Sequence, residues 1–138
     1  MTVVFDTNIV VDVLAKRQQF YDASFTALSL CDGFLRKSCI TSNTVTDIAY
    51  ILHRYGKSKD EIKQSLAQLF SIVEILDVNS ADCNNALVSP ITDFEDAVLS
   101  SCATRHAVDF IVTRNPRDYK NSAVPCIIPA DFVQQFGA

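Results

Sequence analysis

The sequence has no tryptophan, only three glycines and four prolines, and no long uninterrupted apolar segment. No apolar run approaches the roughly 20 residues of a membrane-spanning helix, so no membrane contact is expected. The start, MTVVFD, lacks the basic region and long apolar core of a signal peptide, which predicts a cytoplasmic protein. With 49% hydrophobic residues and so little glycine and proline, the 138-residue chain predicts one ordered domain, residues 1–138.

Cysteine and histidine are too scattered for a disulfide framework or a zinc site. The cysteines are odd in number, widely spaced and never in a CxxC pair, so we expect small buried side chains in a reducing compartment. The two histidines, His53 and His106, have no partner at metal-ligand spacing, which argues against zinc. The five cysteines are Cys31, Cys39, Cys83, Cys102 and Cys126.

Excess basic charge is also missing, because the net charge is −4 and the isoelectric point is near 5.0. That balance argues against a passive nucleic-acid-binding protein, which presents basic surface to phosphates. A nuclease whose carboxylates hold divalent cations is an exception, because bound Mg²⁺ reverses the local field. The net charge therefore leaves both classes open.

What the sequence does have is a regular alternation of apolar strands and amphipathic helices. The segment VVF at 3–5 predicts a strand buried on both faces, because it lacks the alternation of a half-exposed strand. The pattern predicts a three-layer α/β/α fold with a central, mainly parallel sheet. Further strands are predicted in RKSCI, SIVEILDV, FIVT and PCII, and helices over 7–17, 21–33, 42–55, 59–70, 80–88, 92–107 and 129–136.

Several helix ends and faces can be predicted residue by residue. Ser58 is a predicted N-cap, Gly56 a C-terminal stop, and Pro129 the first residue of the last helix. Two helices carry apolar stripes that we expect to face inward. The stripes are Val45, Ile48, Leu52 and Tyr55, and Ile62, Leu66, Leu69 and Phe70.

Acidic residues recur where predicted strands end or helices begin. In a parallel sheet the functional crevice lies at the carboxyl ends of the strands, which is where Asp6 and the Thr113–Asn115 turn are expected. Simple capping is an alternative explanation for some acids, with Thr44 and Asp47 as one capping pair and Thr92 and Glu95 as a better one. The acids in question are Asp6, Asp47, Asp93, Glu95, Asp96 and Asp118.

Asp93 and Asp96 are harder to explain by capping. At spacing i, i+3 they lie on one side of a helix, where like charges repel by a few tenths of a kcal/mol. The face below Asp96 carries only the small residues Ser100, Ala103 and Ala107, which permits close packing. A shared cation accounts better for acids at the head of such a face.

The sequence has no Ser/His/Asp set, no reactive Cys–His pair and no glycine-rich phosphate loop. Converging carboxylates without a basic partner suit Mg²⁺ or Mn²⁺, which prefer oxygen ligands. Two such ions can activate water and stabilise the leaving oxygen of a phosphodiester.

An ordered set of motifs resembles the PIN domain over nearly the whole chain, most closely the small bacterial relatives of VapC toxin ribonucleases. The set is VVFDTNIVVDVL, TSNTVTDIAYIL, DFEDAVLSSCA and FIVTRNPRDY…VPCIIPADFV. The resemblance implies acids gathered at one pole of an α/β/α fold, which bind Mg²⁺ or Mn²⁺ and cleave single-stranded RNA. The catalytic residues it implies are Asp6, Asp47, Asp96 and Asp118, and the metal ligands are Asp6, Asp96, Asp47 and Asn115.

Two positions depart from the family pattern. Asp47 stands where a glutamate is more usual, so its shorter side chain could contact the metal through water. Asn115 stands where an acid is frequent, and the loss of one negative charge weakens the case for a second ion. The resemblance gives Asn8, Thr113, Asn115 and Asp93 supporting roles, in which they orient acids or water.

Basic residues flank the predicted site, and a phosphate track is one explanation for them. Arg114, Arg117 and Lys120 are the predicted RNA-binding residues, although an ordinary solvated face explains them equally simply. Tyr119 could stack on a base or pack in the core. A second basic cluster consists of Arg54, Lys57, Lys59 and Lys63.

The sequence therefore predicts a metal-dependent endoribonuclease, with RNA products that carry 5′-phosphate and 3′-hydroxyl ends. It further predicts the toxin of a toxin–antitoxin pair, blocked by a small antitoxin protein, and a homodimer. The alternative is a PIN-like nucleic-acid-binding or regulatory module with an impaired metal site. An aspartyl phosphatase is disfavoured, because such enzymes usually have a second Asp where Asn8 stands.

Overall fold

Five short parallel strands form the centre of the molecule, and the computed structural model describes residues 1–137. The predicted domain of residues 1–138 thus extends one residue beyond the described part. The strands are β1 (Thr2–Phe5), β2 (Lys37–Thr41), β3 (Glu74–Leu76), β4 (Phe110–Val112) and β5 (Cys126–Ile127). The helices are α1 (Thr7–Leu14), α2 (Tyr21–Ser29), α3 (Ser42–Arg54), α4 (Lys59–Phe70), α5 (Ser80–Val88), α6 (Phe94–Arg105) and α7 (Pro129–Phe136), with a 3₁₀ helix at Pro116–Tyr119.

The order of the strands places a topological switch point beside β1. The order across the sheet is β3-β2-β1-β4-β5, and every neighbouring pair is parallel. The chain first builds the sheet outward from β1 to β3 and then returns to the other side of β1 with β4. Loops after β1 and β4 therefore diverge to opposite faces, which leaves a crevice at their carboxyl ends.

Both faces of the sheet are covered, as the apolar VVF segment predicted. Val3 and Phe5 belong to a core cluster with Ile9, Ile48 and Phe132. Val4, which points to the opposite face, packs in a second cluster with residues of α6, including Cys102 and Ala103. The predicted three-layer α/β/α fold with a parallel sheet is confirmed.

Most predicted helix ends are confirmed, and the differences have local causes. Ser58 caps α4 in a full capping box with Glu61, and Gly56 takes the left-handed φ of +85° after α3. Pro129 begins α7 as predicted. The helix predicted to reach Arg17 ends at Leu14, and the helix predicted to stop near Gly33 ends at Ser29.

The apolar stripes predicted to face inward on α3 and α4 include buried residues, but the last residue of each stripe is exposed. Ile48, Leu52 and Leu69 are buried. Tyr55 is 52% exposed, because it lies just beyond the last turn of α3, where its hydroxyl accepts a hydrogen bond from Arg17. Phe70 is 41% exposed, because it lies about 100° around the helix from the buried Leu69.

The cysteines are all free thiols, and the prediction that they are buried holds in part. Cys39 and Cys102 are buried, Cys31 and Cys126 are half-buried, and Cys83 is exposed on α5. Within residues 1–137, none of the helices has the length and apolarity that a bilayer crossing requires.

Candidate active site

A cavity of about 380 Å³ opens at the switch point beside β1. Six of its lining residues are acidic, and no lysine or arginine is among the described residues that line it. The structure therefore brings together all six acids considered from the sequence. The lining residues are Asp6, Thr7, Asn8, Asp47, Tyr50, Ile51, Asp93, Glu95, Asp96, Asn115 and Asp118.

Asp6 follows β1 directly and is fixed by two hydrogen bonds. Its Oδ1 accepts the amide of Thr7 at 2.8 Å, which also caps α1, and its Oδ2 accepts the Thr113 hydroxyl at 2.9 Å. Burial raises the pKa of Asp6, although the bonds from Thr113 and Thr7 oppose the shift. The Thr113–Asp6 hydrogen bond joins the ends of β1 and β4, and the supporting role predicted for Thr113 stays a prediction.

Asp96 lies in the first turn of α6 and is oriented by Tyr119. The Tyr119 hydroxyl donates to Asp96 Oδ1 at 3.1 Å. Burial and the negative charges of Asp6 and Asp93 raise the pKa of Asp96 to about 6. A carboxylate whose pKa is raised by neighbouring acids, without a basic partner, belongs to a site that a cation would stabilise.

The start of α6 differs from the predicted capping box of Thr92 and Glu95. Asp93 is the N-cap, and its carboxylate accepts the amide of Asp96 at 3.0 Å. Glu95 is therefore free to face Asp47. A hydrogen bond to Asp47, with burial and the charge of Asp47, raises the pKa of Glu95 to about 8. The two carboxyl groups therefore face each other at one side of the cavity.

Asp47 has no capping role either. The N-cap of α3 is Thr41, and the Thr44 hydroxyl donates to the Thr41 carbonyl at 2.8 Å. Asp47 lies two residues beyond the first turn and lines the cavity. The capping explanation for Asp47 is wrong, because the helix begins earlier than that spacing requires.

The loop after β4 supplies the far side of the cavity. The backbone N–H of Asn115 donates to the Thr113 hydroxyl at 3.1 Å. The backbone N–H of Asp118 donates to the backbone carbonyl of Asn115 at 3.0 Å. These bonds fold the loop so that both the Asn115 and Asp118 side chains line the cavity with Asn8. The roles predicted for these three residues stay predictions.

The cavity offers oxygen ligands without an arrangement that already encloses a cation. Among residues 1–137, no three acidic, histidine or cysteine side chains are placed to hold a metal ion. The donors are nevertheless carboxylate and amide oxygens, which suit Mg²⁺ or Mn²⁺. The hydroxyl of Thr7, a residue only 8% exposed, has no hydrogen-bond partner and lies at the same cavity. This unsatisfied oxygen and the Asp6 carboxylate, which has no salt bridge within residues 1–137, fit a site that takes a hydrated cation.

The three predicted RNA-binding residues differ in their exposure and in their contacts with the protein. Arg114 is held by the protein: its Nε lies 3.2 Å from Asp12 Oδ2, and its guanidinium carbon lies 3.9 Å from the Phe20 ring centre. Arg117 and Lys120 are exposed and flank the cavity-lining Asp118 in the sequence. Contact with RNA stays a prediction for all three.

Tyr119 is 2% exposed, so base stacking by this residue is wrong and packing is correct. Its hydroxyl nevertheless contacts the site through Asp96. No pattern in the sequence predicts this contact, because the tyrosine comes from a 3₁₀ helix and lies 23 residues further along the chain than Asp96.

Sequence reasoning also missed Asp12, a completely buried acid on α1. Its carboxylate accepts Arg17 Nη1 at 3.2 Å and the Ser24 hydroxyl at 3.0 Å, and it pairs with Arg114. An acid within the apolar run IVVDVL was the signal that could have found it. This cluster connects α1 and α2 to Arg114, which lies between Thr113 and Asn115 in the loop after β4.

Comparisons with known proteins match the chain to a family and to solved folds. The family model described as PIN domain matches residues 2–117. No curated protein sequence matches the chain.

Similar folds occur in solved structures. A Rickettsia felis VapBC2 structure, solved bound to a DNA fragment from the promoter, contains a chain with TM-score 0.72 and 20% identity, covering 93% of this chain and 98% of its own. A toxin–antitoxin complex from Klebsiella pneumoniae contains a chain with TM-score 0.69 and 18% identity, and the match covers 92% of this chain and 97% of that one. The Mycobacterium tuberculosis VapC20 toxin, described as cleaving the sarcin–ricin loop, has TM-score 0.63 and 12% identity, and the match covers 79% of this chain and 86% of that one.

Proposed function

The chain belongs to the PIN domain family, and on that premise we propose that it is a metal-dependent endoribonuclease that hydrolyses phosphodiester bonds of single-stranded RNA. The observation that carries the proposal is the cavity at the switch point, where six carboxylates meet without a lysine or arginine among the lining residues. Structural acids of a folded domain are normally paired or solvated. Six acids around one cavity indicate a site for divalent cations.

Asp6, Asp96 and Asp47 are the residues that would hold Mg²⁺ or Mn²⁺, with Asp118 and Asn115 on the far side. When bound, the cation supplies charge that activates water and stabilises the leaving oxygen of the phosphodiester. Glu95 lines the same cavity and faces Asp47, so it would be a further oxygen ligand. Its longer side chain would offset the shorter reach of an aspartate at position 47.

The remaining residues of the site position the acids. Thr113 and the Thr7 amide fix both oxygens of Asp6, and Tyr119 fixes one oxygen of Asp96. Such partners orient ligands and tune their basicity. Because the cavity is acidic, the exposed Arg117 and Lys120, next to Asp118 in the sequence, would hold phosphates of the RNA.

We also propose that the protein is the toxin of a toxin–antitoxin pair and that it forms a homodimer. Support comes from the similar structures, two of which are described as a toxin–antitoxin complex and a VapBC assembly. Co-purification with the product of a neighbouring short reading frame would test the pairing. Sedimentation of the purified chain would test the dimer.

A cleavage assay tests the proposed activity. Purified protein should cut single-stranded RNA in Mn²⁺ or Mg²⁺, should leave it intact in EDTA, and should produce 5′-phosphate and 3′-hydroxyl ends. Asp6→Asn and Asp96→Asn should abolish cleavage while the circular dichroism spectrum stays unchanged. Cleavage that persists in EDTA, or in both variants, would contradict the proposal.

A PIN-like binding module with an impaired site is the second candidate. The neutral Asn115 and the open spacing of the acids favour it. Calorimetric titration with Mn²⁺ separates the two functions. Heat of binding that disappears in Asp6→Asn supports the nuclease, whereas no binding at millimolar Mn²⁺ supports the module.

A further inference from the structure

The lining of the acidic cavity includes an exposed aromatic side chain to which the proposed metal site assigns no role. Tyr50 is the single aromatic residue among the described residues that line the cavity, and it is 60% exposed. Together with Ile51 it supplies the large uncharged side chains of the lining. The other members are acids, two asparagines and a threonine.

Tyr50 is part of an ordered stripe along α3. Asp47, Tyr50 and Arg54 follow one another at spacings of three and four residues, so they share one face of the helix over about 10 Å. Arg54 Nη1 donates to the Tyr50 hydroxyl at 3.2 Å, and its guanidinium carbon lies 6.0 Å from the ring centre. An acid at the cavity, an aromatic ring at its mouth and an exposed cation beyond it thus occur in sequence.

We propose that Tyr50 and Arg54 form a nucleotide subsite, in which Tyr50 stacks on the base next to the cleaved bond and Arg54 contacts the following phosphate. The inference rests on the proposed function, since it places the RNA on one side of that site. A nucleotide combines a flat apolar base with an anion, and the ring and guanidinium match the two parts in that order. Stacking is tolerant of sequence, so this subsite holds the strand without selecting a base.

A protein partner is the competing occupant of an exposed tyrosine, and the position of Tyr50 favours RNA. Tyr50 lines the cavity itself, which an RNA strand enters in the proposed function. Tyr55 provides the internal comparison. It is equally exposed at 52% and has its own arginine, Arg17, 2.9 Å from its hydroxyl, yet it does not line the cavity.

Fluorescence anisotropy of a labelled single-stranded RNA of about 12 nucleotides tests the subsite, with Ca²⁺ in place of Mg²⁺ and the RNA checked for intact length. Tyr50→Ala should raise the dissociation constant about 5- to 140-fold, the range for loss of one base stack. Tyr50→Trp and Tyr50→Phe should bind within about threefold of wild type, because they keep the ring. Arg54→Gln should weaken binding and reduce its salt dependence.

The matched control is Tyr55→Ala, which should leave RNA binding unchanged. An RNA series with one abasic site moved along the strand adds a readout that a structural role would not give. Wild type should show one position at which base removal weakens binding, and Tyr50→Ala should be insensitive there.

Equal RNA binding by wild type and Tyr50→Ala would overturn the subsite and is the result that a protein-binding role predicts. A wild-type protein that neither binds nor cuts any RNA would overturn the proposed function itself, so the two failures are distinguishable.

Discussion

The buried cluster around Asp12 gives a sharp test of what holds the candidate site in shape. Replacing Asp12 with asparagine keeps the side-chain volume and removes its charge. The change leaves Arg17 and Arg114 facing each other without a counter-ion, at side-chain exposures of 19% and 23%. The Ser24 hydroxyl, which donates to the Asp12 carboxylate, is then left with a neutral amide oxygen as its acceptor.

The expected loss of stability follows from the burial of this cluster. Breaking a buried ion pair by removing one partner costs about 3–5 kcal/mol. Both arginines keep about a fifth of their exposure, so they recover some hydration, and we expect the lower value of about 3 kcal/mol. For a chain of this size that corresponds to a fall in Tm of about 12 °C.

Urea unfolding and thermal melts of Asp12→Asn measure this loss. Glu74→Gln is the matched control, because the Lys37–Glu74 pair is just as short at 2.9 Å but about half exposed on both sides. That control should lose less than about 1 kcal/mol. If Asp12→Asn is no less stable than Glu74→Gln, the cluster does not carry the stability assigned to it.

Two further predictions concern the acids of the cavity. The pKa of Glu95 is raised to about 8 and that of Asp96 to about 6. Between about pH 4 and pH 8 the folded state therefore binds more protons than the unfolded state. The free energy of unfolding without metal consequently falls as the pH rises. Tm measured in EDTA from pH 5 to pH 8 should therefore fall less in Glu95→Gln than in wild type, and equal slopes would contradict the assignment. Tyr119→Phe removes the hydrogen bond to Asp96, so RNA cleavage should drop about 10- to 100-fold and its pH profile should move to higher pH; an unchanged rate and profile would show that Tyr119 is only a packing residue.

The sequence predicts the fold well because burial determines so much of it. An unbroken apolar strand such as Val3–Phe5 fits only a sheet covered on both faces, and alternating strands and helices then favour parallel pairing. Asp6 could be placed at the edge of that sheet for the same reason. Local capping signals such as Ser58 and Gly56 were equally reliable, because they act within a few residues.

The parts that sequence reasoning missed depend on contacts between distant segments. The carboxyl pair of Asp47 and Glu95 joins the starts of two helices, and the actual caps, Thr41 and Asp93, each lie one to three residues away from the predicted ones. Arg114 was predicted to contact RNA, but a buried acid 102 positions earlier determines where its guanidinium lies. Such pairings follow from how helices pack, and periodicity within one segment carries no information about them.

The most direct test of the central claim measures metal occupancy and RNA cleavage in the same samples. Mn²⁺ bound to the wild-type protein can be followed by electron paramagnetic resonance while the cutting rate of single-stranded RNA is recorded at each Mn²⁺ concentration. Occupancy and rate should rise together, and both should be lost in Asp96→Asn. Mn²⁺ that binds without any cleavage, or cleavage that proceeds with no Mn²⁺ bound, would contradict the assignment of the acidic cavity as a nuclease centre.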